Sequence, residues 1–531
     1  MPQARLTRGV LLLAVFVCAA CGLVYELALL TLGDYLAGGG VRQTSLVLGL
    51  FVCAMGLGSL ASKPLLARPL LGFALVEGSL AVVGGLSVLA LYAAYAWLNL
   101  YTLAVLLTSV AVGALIGAEV PLLMALLQRI RAQDAGEAVA DLNAVDYLGA
   151  LAGGLAFPFL LLPGFGQLRG ALVTGTVNLV AAALVVAWLQ VSDRRGASGI
   201  GLSRRSLTAL ATVGVASGLL LAGTAALAAE FEVTARQRLF RAPITLAERS
   251  AYQEIVVTEA RPGRPDDLRL FLDGDLQFSS RDEHRYHEAL VQPAMAVPPA
   301  SDEQPGASGG ADTVLVLGGG DGLALREVLR SPVRRVVEVE LDPAVLRLAR
   351  DHPDFRALNG DSLRDPRVEV VTDDAMRWLR TATETFDVIV VDMPDPDNAV
   401  TSKLYSAEFY GLAARLLSPD GRMVVQAGSP YFARHAYWCV LETVRSTGLE
   451  VVPYHVDVPT FGDWGFVLAG RTSPAPLRVP PDVADQLRFL DQSVLDAATV
   501  FPRDVQPVPV EISTLDRPTI LDYERRGWQG Y

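Results

Sequence analysis

The sequence predicts an α-helical transmembrane bundle followed by an α/β Rossmann-like domain, with a small β-hairpin domain between the two. Three observations predict this order: residues 10 to about 230 are mostly apolar, a run of alternating valine and leucine ends in Gly318-Gly-Gly-Asp-Gly322, and strand and helix patterns alternate after that run. A chain of 531 residues is also too long for a single core. We therefore expect a transmembrane domain at 1–230, a small β-strand domain at 231–297, a Rossmann-like domain at 298–475 and a proline-rich tail at 476–531.

The apolar half contains seven runs that are each long enough, at about 20 residues, to cross a bilayer as a helix. They lie near residues 10–32, 44–62, 70–97, 101–127, 145–163, 168–190 and 207–229. The first run is too long for a removable signal peptide and lacks a clear cleavage site. Glycines such as Gly149, Gly153, Gly154 and Gly175 favour close helix–helix packing. These patterns predict a multi-pass protein of a bacterial cell membrane, in contact with the lipid bilayer.

Four acidic residues fall inside the apolar runs or at their edges: Glu26, Glu77, Glu119 and Asp146. Acids inside a membrane are costly, so one interpretation is a path for protons or cationic substrates. The other interpretation is that these acids lie at the interface or pair with polar groups to fix helix packing. Both stay open at this point.

Basic residues do not settle the orientation of the bundle. Arg5 and Arg8 favour a cytoplasmic N-terminus, and seven spans would then place the C-terminal half outside the cell. Arg236, Arg238 and Arg241 directly follow the last run and favour a cytoplasmic C-terminal half instead. We favour the cytoplasmic placement because the chemistry indicated below needs a cytosolic ligand.

Charge and cysteine content restrict the partners. The formal net charge of −12 argues against a nucleic-acid partner and suits a cationic ligand. The four cysteines, Cys18, Cys21, Cys53 and Cys439, show no metal-ligand spacing, and three of them lie in apolar runs. We therefore predict buried small side chains rather than disulfides, with no metal site and no prosthetic group.

The segment after the last apolar run predicts a small β-strand domain. Tyr252–Thr258 and Leu268–Leu272 have strand character, and a turn-rich link joins them at residues 261–267. Asp273-Gly274 predicts a hairpin turn. A helix capped by Ser280 or Asp282 is expected to follow and to run through Leu290.

The stretch from Val314 to Leu329 predicts a nucleotide-binding strand, turn and helix. Alternating valine and leucine up to Leu317 is typical of a buried parallel strand, and a helix is expected from Leu323. The glycines between them allow a tight turn and close approach of the backbone to a ligand. Asp321 in this turn would repel a pyrophosphate, so the predicted ligand is a neutral or cationic nucleoside.

Acidic residues also end the three strands predicted after this turn. In chain order they are Glu340, the pair Asp373 and Asp374, and the pair Asp392 and Asp395. Glu340 stands about 20 residues after the glycines, where a nucleotide-binding fold places a carboxylate on ribose hydroxyls. Because the carboxyl ends of parallel strands meet at one edge of a sheet, we expect these acids to converge. Any one of them, or Asp342 before the next helix, could instead be a helix cap or turn residue.

Taken in order, these motifs resemble the spermidine synthase family, the polyamine aminopropyltransferases, in the bacterial form with an N-terminal multi-span extension. The resemblance covers roughly residues 250–470 through the segments YQEI, LFLDGDLQ, DEHRYHEAL, VLVLGGGDG, VEVELD, DDAMRWL, FDVIVVDMPDP and YSAEFY. It implies a class I methyltransferase-like Rossmann fold and a transferase of spermidine and polyamine biosynthesis. It also implies decarboxylated S-adenosylmethionine as co-substrate and a homo-oligomer.

The resemblance also implies site residues. Those of the decarboxylated S-adenosylmethionine site are Gln253, Tyr286, His287, Asp321, Glu340, Asp373, Asp374 and Asp392. Within this set, Glu340 would hold the ribose hydroxyls, Asp373 the adenine amino group and Asp321 the aminopropyl ammonium. Asp392 and Asp395 would flank the amine acceptor, and Gln277 and Tyr286 would shape its cavity.

The residue chemistry agrees with the implied reaction. An aliphatic amine has a pKa of about 10 in water, so the acceptor must lose a proton before it attacks the methylene carbon beside a sulfonium. Asp392 is the predicted general base, and Asp395 would bind another ammonium group of the acceptor. Putrescine is the predicted acceptor, with spermidine and methylthioadenosine as products.

Two departures from the family pattern leave the acceptor open. The usual Gly-Pro-Ala does not follow Asp395-Pro396, and Phe461 stands where members commonly have a tyrosine. Two other functions also stay open: an S-adenosylmethionine-dependent methyltransferase on the same fold, and a membrane polyamine transporter or sensor with a non-catalytic nucleoside-binding domain.

Overall fold

The computed structural model describes residues 2–37, 41–98, 100–130, 135–193, 201–240, 242–259, 267–296, 311–472 and 477–528. It forms two compact units, Met1–Arg241 and Ala242–Tyr531, called here the helical unit and the C-terminal unit. The predicted turn-rich link at 261–267 lies outside the described residues except for Asp267, and so does Arg241.

The helical unit consists of seven α-helices within its described residues. They are α1 Pro2–Ala37, α2 Val41–Ala61, α3 Pro69–Ala93, α4 Tyr101–Ile130, α5 Ala135–Ala156, α6 Leu162–Asp193 and α7 Arg204–Phe240. Among these residues, six helical segments are long and apolar enough to cross a membrane by length and composition alone. They are Leu6–Gly33, Thr44–Ala61, Pro69–Leu98, Tyr101–Arg129, Val139–Asp193 and Arg204–Ala228.

The fifth and sixth predicted spans share one of these segments, Val139–Asp193. A π-helical turn, Phe157–Leu161, joins α5 to α6 and contains Pro158, whose ring would clash inside a regular α-helix. Gly166, with φ 70° and ψ −178°, then kinks α6. A kinked continuous helical segment therefore stands where two separate runs were predicted.

Glycines bring the helices of this unit close together, as predicted. A Cβ atom added at Gly149 or Gly153 on α5 would lie 2.3 Å from the main-chain oxygen of Phe16 or Ala20 on α1. Gly175 on α6 approaches α3 in the same way, since its added Cβ would lie 2.6 Å from a main-chain oxygen. Larger side chains at these positions would force the helices apart.

Three of the four free cysteines, Cys18, Cys21 and Cys439, are buried as predicted. The prediction was wrong for Cys53, which is exposed on α2. The apolar composition of α2 does not define which of its faces turns inward, so burial could not be predicted from the run alone.

The C-terminal unit begins with a four-stranded antiparallel sheet in the order β1-β2-β3-β4. Its strands are β1 Ile244–Arg249, β2 Glu254–Thr258, β3 Arg269–Leu272 and β4 Asp275–Ser279. The predicted hairpin turn joins β3 to β4, and Asp273 and Gly274 both have positive φ, at 50° and 100°. Two consecutive positive φ angles are the signature of a type I′ turn, which Asp-Gly favours.

A seven-stranded sheet follows, with strand order β10-β11-β9-β8-β5-β6-β7. Its strands are β5 Thr313–Gly318, β6 Arg335–Glu340, β7 Val368–Thr372, β8 Phe386–Asp392, β9 Leu417–Gln426, β10 Glu450–Val458 and β11 Gly462–Gly470. The strands from β5 to β9 pair in parallel, whereas β10 and β11 are antiparallel.

Helices cover both faces of this sheet. They are α8 Glu283–Met295, α9 Leu323–Val328, α10 Pro343–Asp351, α11 Pro353–Asn359, α12 Ala375–Thr381, α13 Ala407–Arg415, α14 Arg434–Arg445, α15 Gln492–Ala497 and α16 Thr519–Gly527. The alternating residues of β5 separate accordingly: Val314 and Val316 join one apolar core, and Leu315 and Leu317 join the other. The strand order reverses between β5 and β8, because β5 is followed by β6 on one side and β8 is followed by β9 on the other. The crevice at the carboxyl ends of β5 and β8 is therefore the expected ligand site.

The proline-rich segment after residue 476 contributes to both cores. Leu490 and Leu495 are buried in the core that contains Val316, and Ile520 of α16 is buried in the core that contains Leu317. The helix α16 packs against α14. This segment therefore belongs to the C-terminal unit as packed structure.

Candidate active site

The glycine turn after β5 brings two acidic strand ends together. Gly318 and Gly319 have φ angles of 80° and 71°, a region that only glycine adopts without strain. A Cβ atom at Gly318 would lie 2.1 Å from the main-chain oxygen of Asp392, and one at Gly320 would lie 2.6 Å from Cγ of Glu340. The glycines are thus required for Asp392 and Glu340 to approach the turn.

Asp321 lies in this turn, where it is half-buried. Its Oδ1 accepts a hydrogen bond from the Leu323 N–H at 2.9 Å, which fixes the carboxylate at the start of α9. Burial and the charge of Asp392 raise the pKa of Asp321 to about 6, against the opposing charge of His287. Asp321 is therefore mostly ionised at neutral pH and attracts positive charge.

Glu340 ends β6 beside the turn. Its Oε1 accepts from the Asp342 N–H at 2.8 Å, and burial raises the pKa of the carboxyl to about 7. Asp342 caps α10, since its Oδ1 accepts from the Ala344 N–H at 2.9 Å. Its other oxygen accepts from Gln253 Nε2 at 3.1 Å, so Asp342 is both a helix cap and the residue that holds Gln253 near Glu340.

Asp392, the last residue of β8, is hydrogen-bonded to Tyr286, another of the predicted site residues. The Tyr286 hydroxyl donates to Asp392 Oδ1 at 2.6 Å. Burial and the charge of Asp392 raise the pKa of Tyr286 well above its ordinary value, so the hydroxyl keeps its proton. Burial also raises the pKa of Asp392, although the charge of His287 and the Tyr286 hydrogen bond oppose this.

His287 stands in a buried charge network with Glu283 and Arg326, two residues that were not predicted to belong to the site. Its Nδ1 lies 3.0 Å from Oε2 of Glu283, one turn earlier on α8, and Arg326 of α9 donates to both oxygens of Glu283 at 2.9 and 2.8 Å. Burial alone would lower the pKa of His287, but Glu283, together with the charges of Asp321 and Asp392, raises it to about 8. The spacing of four residues between Glu283 and His287 in DEHRYHEAL was the available signal.

The two acids after β7 have different environments. Asp373 Oδ1 accepts from the Asp374 N–H at 2.6 Å and from Arg377 Nε at 2.5 Å, and the Asp373 N–H donates to the main-chain oxygen of Glu340 at 3.0 Å. Asp374 caps α12 through the Arg377 N–H at 2.9 Å and accepts from Lys403 Nζ at 2.7 Å. The carboxylate of Asp374 is therefore occupied by a cap and an ion pair.

Asp395 lies in the loop after β8. Its Oδ1 accepts from Gln426 Nε2 at 3.1 Å, and the same nitrogen donates to the Met393 oxygen at 2.7 Å. Burial raises the pKa of Asp395, and the charge of Asp397 adds to this while Gln426 opposes it. Phe461 completes this side of the site, because its ring contacts the ring of Tyr286 with centroids 6.0 Å apart.

Gln277 is the unpaired residue of a β-bulge in β4, because Leu270 faces Phe278 while Phe271 faces Leu276. Bulges redirect side chains, often beside active sites. The Gln277 Nε2 donates to the Asp275 main-chain oxygen at 3.2 Å. No described hydrogen bond joins Gln277 to the strand-end acids.

Three further acids at the Asp395 end were missed. Asp275 comes from β4, Asp397 from the loop after β8, and Glu524 from α16. Glu524 is only 3% exposed, and burial and the charges of Asp395 and Asp397 raise its pKa. Desolvation and the charges of Asp397 and Asp395 likewise raise the pKa of Asp275. This end of the site favours a ligand with positive charge.

The position of α16 follows from contacts that no local motif encodes. Arg525 donates to the Asp397 main-chain oxygen at 3.3 and 3.2 Å, and Trp528 stacks on Phe432 with centroids 4.9 Å apart. Trp528 Nε1 also donates to Glu524 Oε1 at 2.5 Å. These contacts hold Glu524 against the loop that carries Asp395.

Known proteins resemble the chain over its whole length. A spermine/spermidine synthase domain matches residues 283–475. Polyamine aminopropyltransferase 1 of Streptomyces coelicolor is 54% identical over 538 residues, covering 100% of this chain and 97% of that protein. A polyamine aminopropyltransferase of Mycobacterium tuberculosis is 54% identical over 531 residues, covering 98% of this chain and 97% of that protein. Among solved structures, a spermidine synthase in complex with the transition-state analogue AdoDATO is 25% identical with a TM-score of 0.44, covering 49% of this chain and 86% of that one.

Proposed function

Because the chain belongs to the polyamine aminopropyltransferases of the spermine/spermidine synthase family, we propose that it transfers the aminopropyl group of decarboxylated S-adenosylmethionine to putrescine or a related amine. The products of this reaction are spermidine and methylthioadenosine. The observation that carries the proposal is the convergence of Asp321, Glu340 and Asp392 on one glycine turn, at the carboxyl edge of the sheet.

The donor carries a sulfonium and an ammonium, and the strand-end acids suit both its charge and its nucleoside. Glu340 would accept from the ribose hydroxyls and Asp373 from the adenine amino group. Asp321, with a pKa of about 6, is ionised at neutral pH and would bind the terminal ammonium. Ordinary S-adenosylmethionine keeps a carboxylate at that end, which Asp321 would repel. Asp321 therefore supports the decarboxylated donor over a methyl donor.

Asp392 would act as the general base on the acceptor. A raised pKa makes its carboxylate a better proton acceptor for an amine, and Tyr286 fixes its orientation through the 2.6 Å hydrogen bond. The free amine then attacks the methylene carbon beside sulfur, so that a C–N bond forms while the C–S bond breaks. Its electron pair neutralises the sulfonium, and methylthioadenosine leaves. Asp392 holds the proton lost by nitrogen until solvent accepts it.

The acids at the other end would hold the remaining positive charge of the acceptor. Asp395 lies at this end beside Glu524, and the charge of Asp395 raises the pKa of both Glu524 and Asp275. A second ammonium group relieves that repulsion, which a neutral acceptor does not. Binding of the second ammonium group at this end would align the reacting nitrogen with the methylene carbon and the sulfur. Such alignment is the main source of rate acceleration in a displacement of this kind.

We also propose that the helical unit lies in the bacterial cell membrane, with the C-terminal unit in the cytoplasm and the protein a homo-oligomer. Six apolar segments support the membrane location, as do the large side chains exposed on the unit, among them Leu107, Leu151, Phe159, Leu184 and Leu219. A tag placed after residue 531 should resist protease in intact spheroplasts and be cleaved in inside-out vesicles. Cleavage in intact spheroplasts would overturn the cytoplasmic placement.

One assay tests the reaction. Purified full-length protein is incubated with putrescine and either decarboxylated or intact S-adenosylmethionine, and methylthioadenosine release is followed. We expect release with the decarboxylated donor and an acceptor amine. Transfer of methyl from the intact donor would instead indicate a methyltransferase, and binding without release for any diamine or polyamine would indicate a sensor or transporter.

A further inference from the structure

A polar group lies inside the helical unit and has no role in aminopropyl transfer. Cys18 of α1, Glu77 of α3 and Glu119 of α4 place one sulfur and two carboxylate oxygens within 4.8 Å of one another. Their residues are 0%, 0% and 3% exposed. Three helices therefore bring two carboxyl groups and a thiol to one dry position.

The group is short of hydrogen-bond partners. Both carboxylate oxygens of Glu77 are buried and lack a hydrogen-bond partner of normal geometry among the described residues, while the side chains of Cys18, Glu119 and Asn178 face them. The amide oxygen of Asn178 on α6 is equally buried and unpartnered, while its nitrogen donates to the Glu77 main-chain oxygen at 3.5 Å. Buried polar atoms are almost always paired, and an unpaired set calls for a bound ion or another specific cause.

Among the described residues, no basic side chain is one of the groups that act on Glu77 or Glu119. Arg8 pairs with Asp141, and Arg129 donates to main-chain oxygens at the end of the turn after α2. Two carboxylates this close in an apolar interior cannot both carry charge unless a cation joins them. The arrangement therefore requires either a cation or a retained proton.

We propose that Cys18, Glu77 and Glu119 bind one divalent transition-metal ion of borderline softness, of the Zn²⁺ class. Cysteine sulfur favours such ions, whereas Mg²⁺ and Ca²⁺ prefer ligand sets made only of oxygen. An ammonium group would gain little from a thiol, which is a weak acceptor. Bonds of about 2.0–2.3 Å in a tetrahedral site leave ligand atoms about 3.3–3.8 Å apart, within the observed limit.

Three protein ligands leave a fourth position, and the Asn178 oxygen or a water can fill it. The divalent charge neutralises both carboxylates, and the ion ties α1, α3 and α4 together. Sequence spacing could not show this site, because each ligand comes from a different helix.

The test uses the full-length protein in detergent, stripped with a chelator and titrated with Co²⁺ as a spectroscopic probe. We expect one Co²⁺ per chain, a thiolate-to-cobalt charge-transfer absorption, and displacement of the Co²⁺ by Zn²⁺. Cys18→Ser should abolish the absorption. Glu77→Gln and Glu119→Gln should weaken binding by more than about 100-fold, since loss of outer partners alone costs about 10- to 100-fold.

Cys21→Ser is the matched control, because Cys21 lies one turn further along α1 and outside the group. It should keep both the absorption and the stoichiometry. Wild-type protein that takes up neither Co²⁺ nor Zn²⁺ would overturn the proposal, and so would an unchanged absorption in Cys18→Ser. The wild-type titration decides even where a variant fails to fold, and it is independent of aminopropyl transfer.

Discussion

Replacement of Asp392 by asparagine should remove most turnover while leaving nucleoside binding in place. The side-chain oxygen of the asparagine can still accept a hydrogen bond from the Tyr286 hydroxyl, which lies 2.6 Å from Asp392 Oδ1 in the native site. The amide is nearly isosteric with the carboxylate, so it fits against the glycine turn, where a Cβ added at Gly319 would lie 3.2 Å from Oδ2. The substitution therefore removes the proton acceptor and its charge with little change of shape.

The loss of a general base lowers the rate by about 10²- to 10⁴-fold, which corresponds to about 3–5 kcal/mol at the transition state. Tyr286, Asp321 and Glu340 keep their positions, so the affinity for methylthioadenosine, the neutral nucleoside product of the proposed reaction, should change less than about threefold. The substitution should thus separate chemistry from nucleoside binding.

Rates are measured as methylthioadenosine release at saturating donor and acceptor, and product affinity by calorimetry. Asp387→Asn is the matched control at the opposite end of β8. Asp387 accepts from the main-chain N–H groups of Asp312 and Thr313 at 3.1 and 3.0 Å, so its loss should lower the free energy of unfolding and leave the turnover number unchanged. A fall in turnover below tenfold for Asp392→Asn, or an equal loss of methylthioadenosine affinity, would refute the assignment.

Four further predictions concern charge. Glu524→Gln should raise the acceptor KM at least about tenfold and leave the donor KM unchanged, because a hydrogen bond to a charged group is worth about 1.5–3 kcal/mol. Asp522→Asn, on the exposed face of α16, is the control, and an equal rise in its acceptor KM would contradict the prediction. Glu338→Gln should flatten the pH dependence of unfolding, measured in urea between about pH 5 and pH 7. Burial holds the pKa of Glu338 far above its unfolded value of about 4.3, so the free energy of unfolding of the wild-type protein falls by up to about 1.4 kcal/mol per pH unit as pH rises. Parallel curves of unfolding free energy against pH for the variant and the wild-type protein would exclude this. His287→Gln should move the acid limb of the kcat/KM profile to higher pH, since protonated His287 lowers the pKa of Asp392, and an unmoved limb would count against it. Diamine binding near pH 7 should release protons, and binding heats that are independent of buffer ionisation would disprove this.

Much of the site could be predicted because its signals are local in sequence. The glycines, Asp321 and Glu340 stand at fixed distances from short strand patterns, and parallel strands bring their carboxyl ends to one edge. The dual role of Asp342 was less accessible. Its cap is a local feature, but its hydrogen bond to Gln253 joins residues 89 positions apart in the sequence.

Residues placed by tertiary packing could not be predicted. Glu524 lies in a polar segment with no motif, and only the contacts of Trp528 and Arg525 bring it to the Asp395 loop. Asp374 was predicted from its place beside Asp373, and only the structure shows that its carboxylate caps α12 and pairs with Lys403. In the helical unit, Glu77 and Glu119 were recognised as acids in apolar runs, but their convergence depends on helix rotation that hydropathy does not encode.

The acids of the C-terminal site favour a ligand with several positive charges, although the carboxyl groups are not all ionised when the site is empty. Asp321 and Glu340 have pKa values raised to about 6 and 7, so the free site already retains part of the protons that its carboxylates could lose. A sulfonium or an ammonium placed among them stabilises the ionised forms and drives those protons out. The repulsion among the acids of the empty site would therefore be relieved by the two positively charged substrates of the proposed reaction, and that relief would add to their affinity. In the proposed reaction the sulfonium loses its charge, so the thioether product, methylthioadenosine, would lose that attraction and be released more readily than the donor.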